Sequence, residues 1–167
     1  MITVGPVLFI IGLLMSLLAV AMGLPAIADL ATGNPDWQVF AGSAAVSLFV
    51  GVSLMLTTRS TSMTNLNLRQ AFLLTTMSWV AVAAVGALPF AFSELEISVA
   101  DAFFESMSGI TTTGSTIIVG LDNAPPGILL WRALLQWLGG VGIIVMAMAM
   151  LPILSVGGMQ LFRTEAF

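Results

Sequence analysis

The tightest constraint on this chain is where its charges are absent. Residues 1–28, 37–58 and 70–93 contain no Asp, Glu, Lys or Arg, and residues 126–151 contain one, Arg132. A hydrocarbon core about 30 Å thick is crossed by a helix of about 20 apolar residues. Each stretch is long enough, so the sequence predicts an all-α integral membrane protein with four spanning helices. Composition agrees: 59% of the 167 residues are hydrophobic and 7% are charged, with a mean hydropathy of +1.10. A soluble domain carries about 25% charged residues, and so small a globule could not bury this much apolar surface. Disorder is excluded for the same reason.

The residue inventory removes most chemistry. With no cysteine there is no disulfide, thiolate nucleophile or Cys-type metal site. With no histidine and no lysine the usual general bases are missing. An intramembrane enzyme built on Ser115 therefore fails; a carboxylate pair such as Asp101 and Glu105 stays conceivable, and the expectation is that the chain is not an enzyme. A net charge of −4 with no basic cluster argues against nucleic acid as a partner.

Ala26-Ile27-Ala28 has the look of a signal cleavage site, but no Arg or Lys precedes it and the apolar run is too long for a signal core. It is read as a retained first helix. Arg59 and Arg69 share the loop between spans two and three, and Arg163 follows span four. Asp29 and Asp36 fall between spans one and two; Glu94, Glu96, Asp101 and Asp122 fall between spans three and four. The positive-inside rule then puts both termini in the cytoplasm and the acidic loops outside.

Residues 93–125 carry the information about function. They are too apolar for a simple loop, yet too short and too rich in Gly and Thr for two more crossings. Ser98 and Asp101 form an S-x-x-D capping box. It opens a helix predicted over 99–108, with Gly109 just past its end. Ten residues rise about 15 Å, half the hydrocarbon thickness. A re-entrant half-helix that stops near the midplane is the expected element. Thr111-Thr112-Thr113-Gly114-Ser115 follows. β-Branched residues before a glycine favour extended backbone, which is tolerated at membrane depth only inside protein or along a water-filled cavity. Its carbonyls, with the partly negative helix end, describe a cation site, and Thr-x-Gly is the core of a potassium filter. A plain outer loop would explain the threonines, but neither the capping box nor the apolar helix leading into them.

Arg132 interrupts the fourth span, and an intramembrane charge usually faces the interior and is paired. It lies about 9 Å below the start of its helix, and Glu105 lies about 10 Å below Ser98, at 1.5 Å per residue. The expected bond is Arg132 to Glu105, a structural pair. Asp101 is the second candidate, and snorkelling to the headgroups is the alternative. Gly139, Gly140 and Gly142 are read as close helix packing, with a flexible gate as the alternative. Pro89 is expected to end the third span, Pro125-Pro126 to open the fourth, and Pro152 to break or kink it. Trp37 and Trp131 suit an outer aromatic belt. Met146, Met148 and Met150 alternate and are read as lipid or core packing.

The run from Asp101 to Ser115, Asp-Ala-Phe-Phe-Glu-Ser-Met-Ser-Gly-Ile-Thr-Thr-Thr-Gly-Ser, resembles the first pore loop of the Trk/Ktr/HKT potassium transporter superfamily, most closely its bacterial TrkH/TrkG branch. Gly86-Ala-Leu-Pro-Phe90, Trp131-Arg132-Ala-Leu-Leu-Gln-Trp137-Leu-Gly-Gly-Val-Gly142 and Gly157-Gly-Met-Gln-Leu-Phe162-Arg-Thr-Glu165 resemble the flanking parts of that repeat. The resemblance implies two units: a helical pair over 1–57, and the first helix–pore-loop–helix repeat over 58–167. It implies potassium uptake across the bacterial inner membrane. Potassium would be held by carbonyls of Thr112, Thr113 and Gly114, with Thr111 and Ser115 flanking, and potassium is the substrate with no covalent cofactor. It further implies a dimer of the complete protein and a cytosolic nucleotide-binding regulatory subunit. The family carries four pore loops where this chain has one. The expectation is therefore an N-terminal part whose remaining repeats lie further along a longer chain, or else an assembly of several copies. The competing reading is a non-conducting scaffold or assembly fragment.

Overall fold

A computed structural model describes residues 4–59 and 68–164, the side chains of 68 and 149–164 excepted. Among the described residues there are helices and one short 3-10 turn, and no strand. The order is α1 (Gly5–Ala21), α2 (Gly23–Thr32), α3 (Trp37–Thr58), α4 (Leu68–Phe92), α5 (Val99–Ile110), a 3-10 turn (Leu121–Asn123) and α6 (Pro126–Thr164). Four stretches are long and apolar enough to cross a membrane: Gly5–Thr32, Trp37–Thr58, Arg69–Phe92 and Pro126–Met148. The all-α class with four spans is thus as the charge gaps predict.

The first span runs through Met22 with a brief break between α1 and α2. It continues past Ala28 until Gly33, whose φ of 75° supplies the left-handed cap that ends a helix. Asp29, expected in the outer loop, therefore lies inside α2 and is fully buried. A single carboxylate does not stop a helix whose remaining residues favour it, and tertiary packing here supplies a partner. Helix α1 packs along α3 through glycines. A Cβ on Gly12 would stand 2.6 Å from the Gly51 carbonyl oxygen, and one on Gly51 would stand 2.5 Å from Ser16 Oγ. Small residues let membrane helices approach this closely.

The interior is formed by Met22, Phe40, Phe90, Ile128, Trp131 and Leu135, all fully buried. Phe40 and Trp131 meet edge-on, centroids 6.3 Å apart at 74°. Trp131 is thus a core residue and not part of an outer belt: its Nε1 donates to the Gly86 carbonyl of α4 at 2.9 Å. A buried indole N–H needs such an acceptor, and the α4 backbone provides it. The outward faces stay apolar, with Phe49, Val20 and Ile144 exposed, as suits helices that face lipid or further helices.

Pro89 behaves differently from expectation, and Pro152 leaves α6 unbroken. Pro89 sits inside α4, which closes another turn to Phe92 with Ser93 N donating to the Pro89 carbonyl at 3.1 Å. Pro152 does not break α6, which is helical from Pro126 to Thr164. A proline removes one donor from the ladder; the following turns re-form where neighbouring structure supports them. Pro126 does open α6. Met148 is exposed, whereas the side chain of Met150 and those of the 157–163 stretch lie outside the described residues.

Candidate functional site

Helix α5 begins as its capping box predicts. Ser98 is extended, with φ −67° and ψ 159°. Its Oγ accepts from Asp101 N at 3.2 Å and donates to Asp101 Oδ2 at 2.7 Å. Asp101 is engaged there and is not the partner of Arg132.

The other end of α5 departs from expectation. Gly109 does not terminate the helix, which runs to Ile110 with Thr111 as its cap. Gly109 serves contact instead: a Cβ there would stand 3.2 Å from Leu135 Cβ of α6. The left-handed residue after the helix is Thr112, with φ 59°. A threonine in that region is strained, and the closure around it holds it there. Thr111 N and Oγ1 both bond the Met107 carbonyl, at 2.9 and 2.7 Å. Thr112 N bonds the Gly109 carbonyl at 3.0 Å, while Thr113 N and Gly114 N both reach the Ser108 carbonyl, at 3.0 and 3.3 Å. The loop's own N–H groups thus occupy carbonyls of the last helical turn.

What remains free is the loop's own carbonyls. Among the described residues those of Thr111, Thr112, Thr113 and Gly114 accept no hydrogen bond, whereas that of Ser115 accepts from Ser108 Oγ at 2.6 Å. Thr112 through Ser115 are exposed. Gly114 has φ 78°, a conformation costly to any residue with a Cβ. The Thr111 and Thr113 hydroxyls lie 2.9 Å apart and bond each other.

Glu105 fixes this loop from behind. It is 1% exposed. Its Oε1 accepts from Arg132 Nε of α6, forming a salt bridge. Its Oε2 accepts from Thr116 Oγ1 at 3.1 Å and Ile117 N at 3.0 Å. Thr116 Oγ1 accepts in turn from Ile118 N at 3.1 Å. One carboxylate thereby joins α5, α6 and the loop exit, and a carboxylate bonded at both oxygens can be buried as an ion. Behind the loop, Gly139 of α6 lies so close to Ile110 that a Cβ would overlap the Ile110 carbonyl. Gly86 of α4 does the same for Ser106, whose Oγ would be 2.5 Å from an added Cβ. The short helix is held between α4 and α6 by close approach at these glycines, against backbone at Gly139 and against side chains at Gly86. Gly140 is less tight, and among the described residues a Cβ on Gly142 would meet nothing within 4 Å, so the close contact seen here is that of Gly139.

The family model described as TrkH, cation transport protein, matches residues 36–167. The chain belongs to the TrkH cation transport protein family. It is 46% identical over 157 residues to the Trk system potassium uptake protein TrkH of Escherichia coli K12, covering 93% of this chain and 32% of that protein. It is 34% identical over 155 residues to TrkG of the same strain, again covering 32% of that protein. The crystal structure of the potassium transporter TrkH from Vibrio parahaemolyticus superposes with a TM-score of 0.86 at 40% identity, covering 94% of this chain and 34% of that one. The chain thus spans about a third of the length of the relatives it matches, and those relatives are transporters. Residues that sequence reasoning missed are Ser108, which uses its hydroxyl and its carbonyl on the loop, and Asp29, which reaches α6 from the first span. Neither has a local pattern that marks it.

Proposed function

We propose that this chain is the first part of a Trk-type potassium uptake protein and contributes one wall of its selectivity filter. The observation that carries the reading is the row of four consecutive carbonyls, Thr111 to Gly114, that no donor among the described residues occupies. Unpaired backbone carbonyls are costly at membrane depth unless a cation or water takes them. In this reading α5 is a re-entrant half-helix, and Thr112, Thr113 and Gly114 turn their carbonyls toward a central axis, flanked by Thr111 and Ser115. Residues 1–57 form the preceding helical pair and 58–167 the first pore repeat. The remaining walls come from later repeats of a longer chain.

The positions of Arg59, Arg69 and Arg163 in the sequence support a cytoplasmic side for that end of the bundle and for both termini, in the bacterial inner membrane. A dimer of the complete protein and a cytosolic nucleotide-binding regulatory subunit complete the assembly. Glu105 and Arg132 do not touch the ion; they set the height of the loop.

The test is Gly114→Ser in the complete transporter, expressed in a bacterium lacking its own potassium uptake. A side chain at φ 78° costs about 1–2 kcal/mol and displaces the carbonyl. Potassium-over-sodium preference should fall about tenfold, since 1.4 kcal/mol is a factor of ten. An unchanged uptake ratio would remove Gly114 from the filter. Absence of any ion flux from the unaltered protein would favour the scaffold reading.

A further inference from the structure

Helix α6 has an N-terminus that its own sequence cannot cap. The first amides of a helix lack intrahelical acceptors and are usually met by a local Ser, Thr, Asp or Asn. Here Pro125 precedes the helix and Pro126 opens it, and neither side chain accepts a hydrogen bond. The amide of the next residue, Gly127, is instead bonded by Asp29 Oδ1 at 2.6 Å, across 98 residues of sequence. Asp29 is fully buried in α2, and its Oδ2 has no partner among the described residues. The bond to Gly127 is therefore its one polar anchor there. Gly127 is fitted to it: a Cβ at 127 would overlap the Asp29 carboxylate. A negative group at this end also complements the dipole of a 39-residue helix.

The bond lies upstream of the loop. Arg132 follows Gly127 on α6 by about 7.5 Å of helical rise. Arg132 holds Glu105, and Glu105 holds Thr116 and Ile117 at the loop exit. We propose that Asp29 is a positioning residue for the filter loop: from the first span it fixes the start of α6, and through α6 the height at which Arg132 and Glu105 hold the loop. The inference rests on the pore reading above. It gives the preceding helical pair a part in ion selection that its distance in sequence conceals.

The test uses four variants of the complete transporter, with membrane protein levels measured: Asp29→Ala, Gly127→Ala, the two combined, and Asp29→Asn. Asp29→Ala should raise the KM for potassium uptake about tenfold. Gly127→Ala should do the same, because its methyl group drives the carboxylate off the amide. The double variant should be no worse than either single one, the signature of residues that act through one contact. Asp29→Asn keeps an acceptor oxygen and should bring the KM back to within about threefold of the unaltered protein. Effects that multiply in the double variant, a KM unmoved by Asp29→Ala, or no rescue by Asn would overturn the proposal. Thermal unfolding midpoints of the purified variants need no transport, and additive losses there would overturn it as well. An unaltered protein that moves no potassium would instead overturn the pore reading, so the two failures are distinguishable.

Discussion

Glu105 in α5 and Asp36 at the turn before α3 are both buried carboxylates, but their surroundings oppose each other. Glu105 faces a guanidinium, and both of its oxygens are bonded. Asp36 accepts one bond, from Glu94 N at 3.3 Å, and its Oδ2 has no partner among the described residues. Its electrostatic neighbours are Glu94 and Asp29, both acidic. The first arrangement gives the carboxylate a donor at each oxygen and ties three elements together. The second tolerates the charged form poorly. Burial alone therefore says nothing about whether a carboxylate supports the fold; the donors around it decide.

The largest expected effect comes from leaving Glu105 without its counter-ion. Arg132→Met strands a buried carboxylate, which costs about 3–5 kcal/mol. Glu105→Gln keeps one acceptor oxygen for the loop and removes the charge, and should cost about 1–3 kcal/mol. Thermal unfolding of the purified protein, with folded yield, reads both. Equal losses would mean that the pair acts as packing and would erase the contrast with Asp36.

The same contrast marks what could be read from the sequence. The four spans follow from charge gaps, and the start of α5 follows from Ser98 and Asp101, because both signals are local. Counting helical rise places Glu105 and Arg132 at one height, because both descend from the same end of the bundle over a short stretch of chain. Asp29 leaves no such trace: its partner Gly127 lies 98 residues away, and an aspartate near the end of an apolar run reads as loop. Gly109 and Thr112 were illegible for another reason. Glycine is the default left-handed residue, and only the bonds that close the loop onto Met107, Ser108 and Gly109 show why threonine takes that place. Trp131 reads as interfacial until Gly86 supplies an acceptor inside.

A second change asks whether charge or packing sets the loop's position. Gly139→Ala puts a methyl group where the Ile110 carbonyl stands. Backbone cannot swing aside as a side chain can, so overpacking of about 1–3 kcal/mol is expected. The loop should shift while the Glu105–Arg132 bond survives. Unfolding midpoint, and potassium-over-sodium uptake by the complete transporter of the proposed function, measured together check this. A loss of stability with unchanged ion preference would leave the carboxylate as the element that holds the loop, and sharpen its difference from Asp36.

The smallest effect should have the opposite sign. Desolvation by burial is the main influence on Asp36 and raises its carboxyl above the ordinary 3.8; the Glu94 N–H bond lowers it, and the negative charges of Glu94 and Asp29 raise it further. The folded state then binds a proton more tightly than the unfolded chain. The contribution to stability is fully present below 3.8 and is lost as pH rises through the raised folded value. Ionising Asp36 in the folded protein is a standing cost. Asp36→Asn keeps an oxygen for Glu94 N and cannot ionise. The variant should be at least as stable as the unaltered protein wherever Asp36 is ionised, and it should lose the decline in unfolding midpoint that this group causes as pH rises above 3.8. Glu105→Gln, by contrast, should destabilise at neutral pH. If Asp36→Asn destabilises there as well, Asp36 contributes as an ion despite its unpaired oxygen, and the two carboxylates are alike after all.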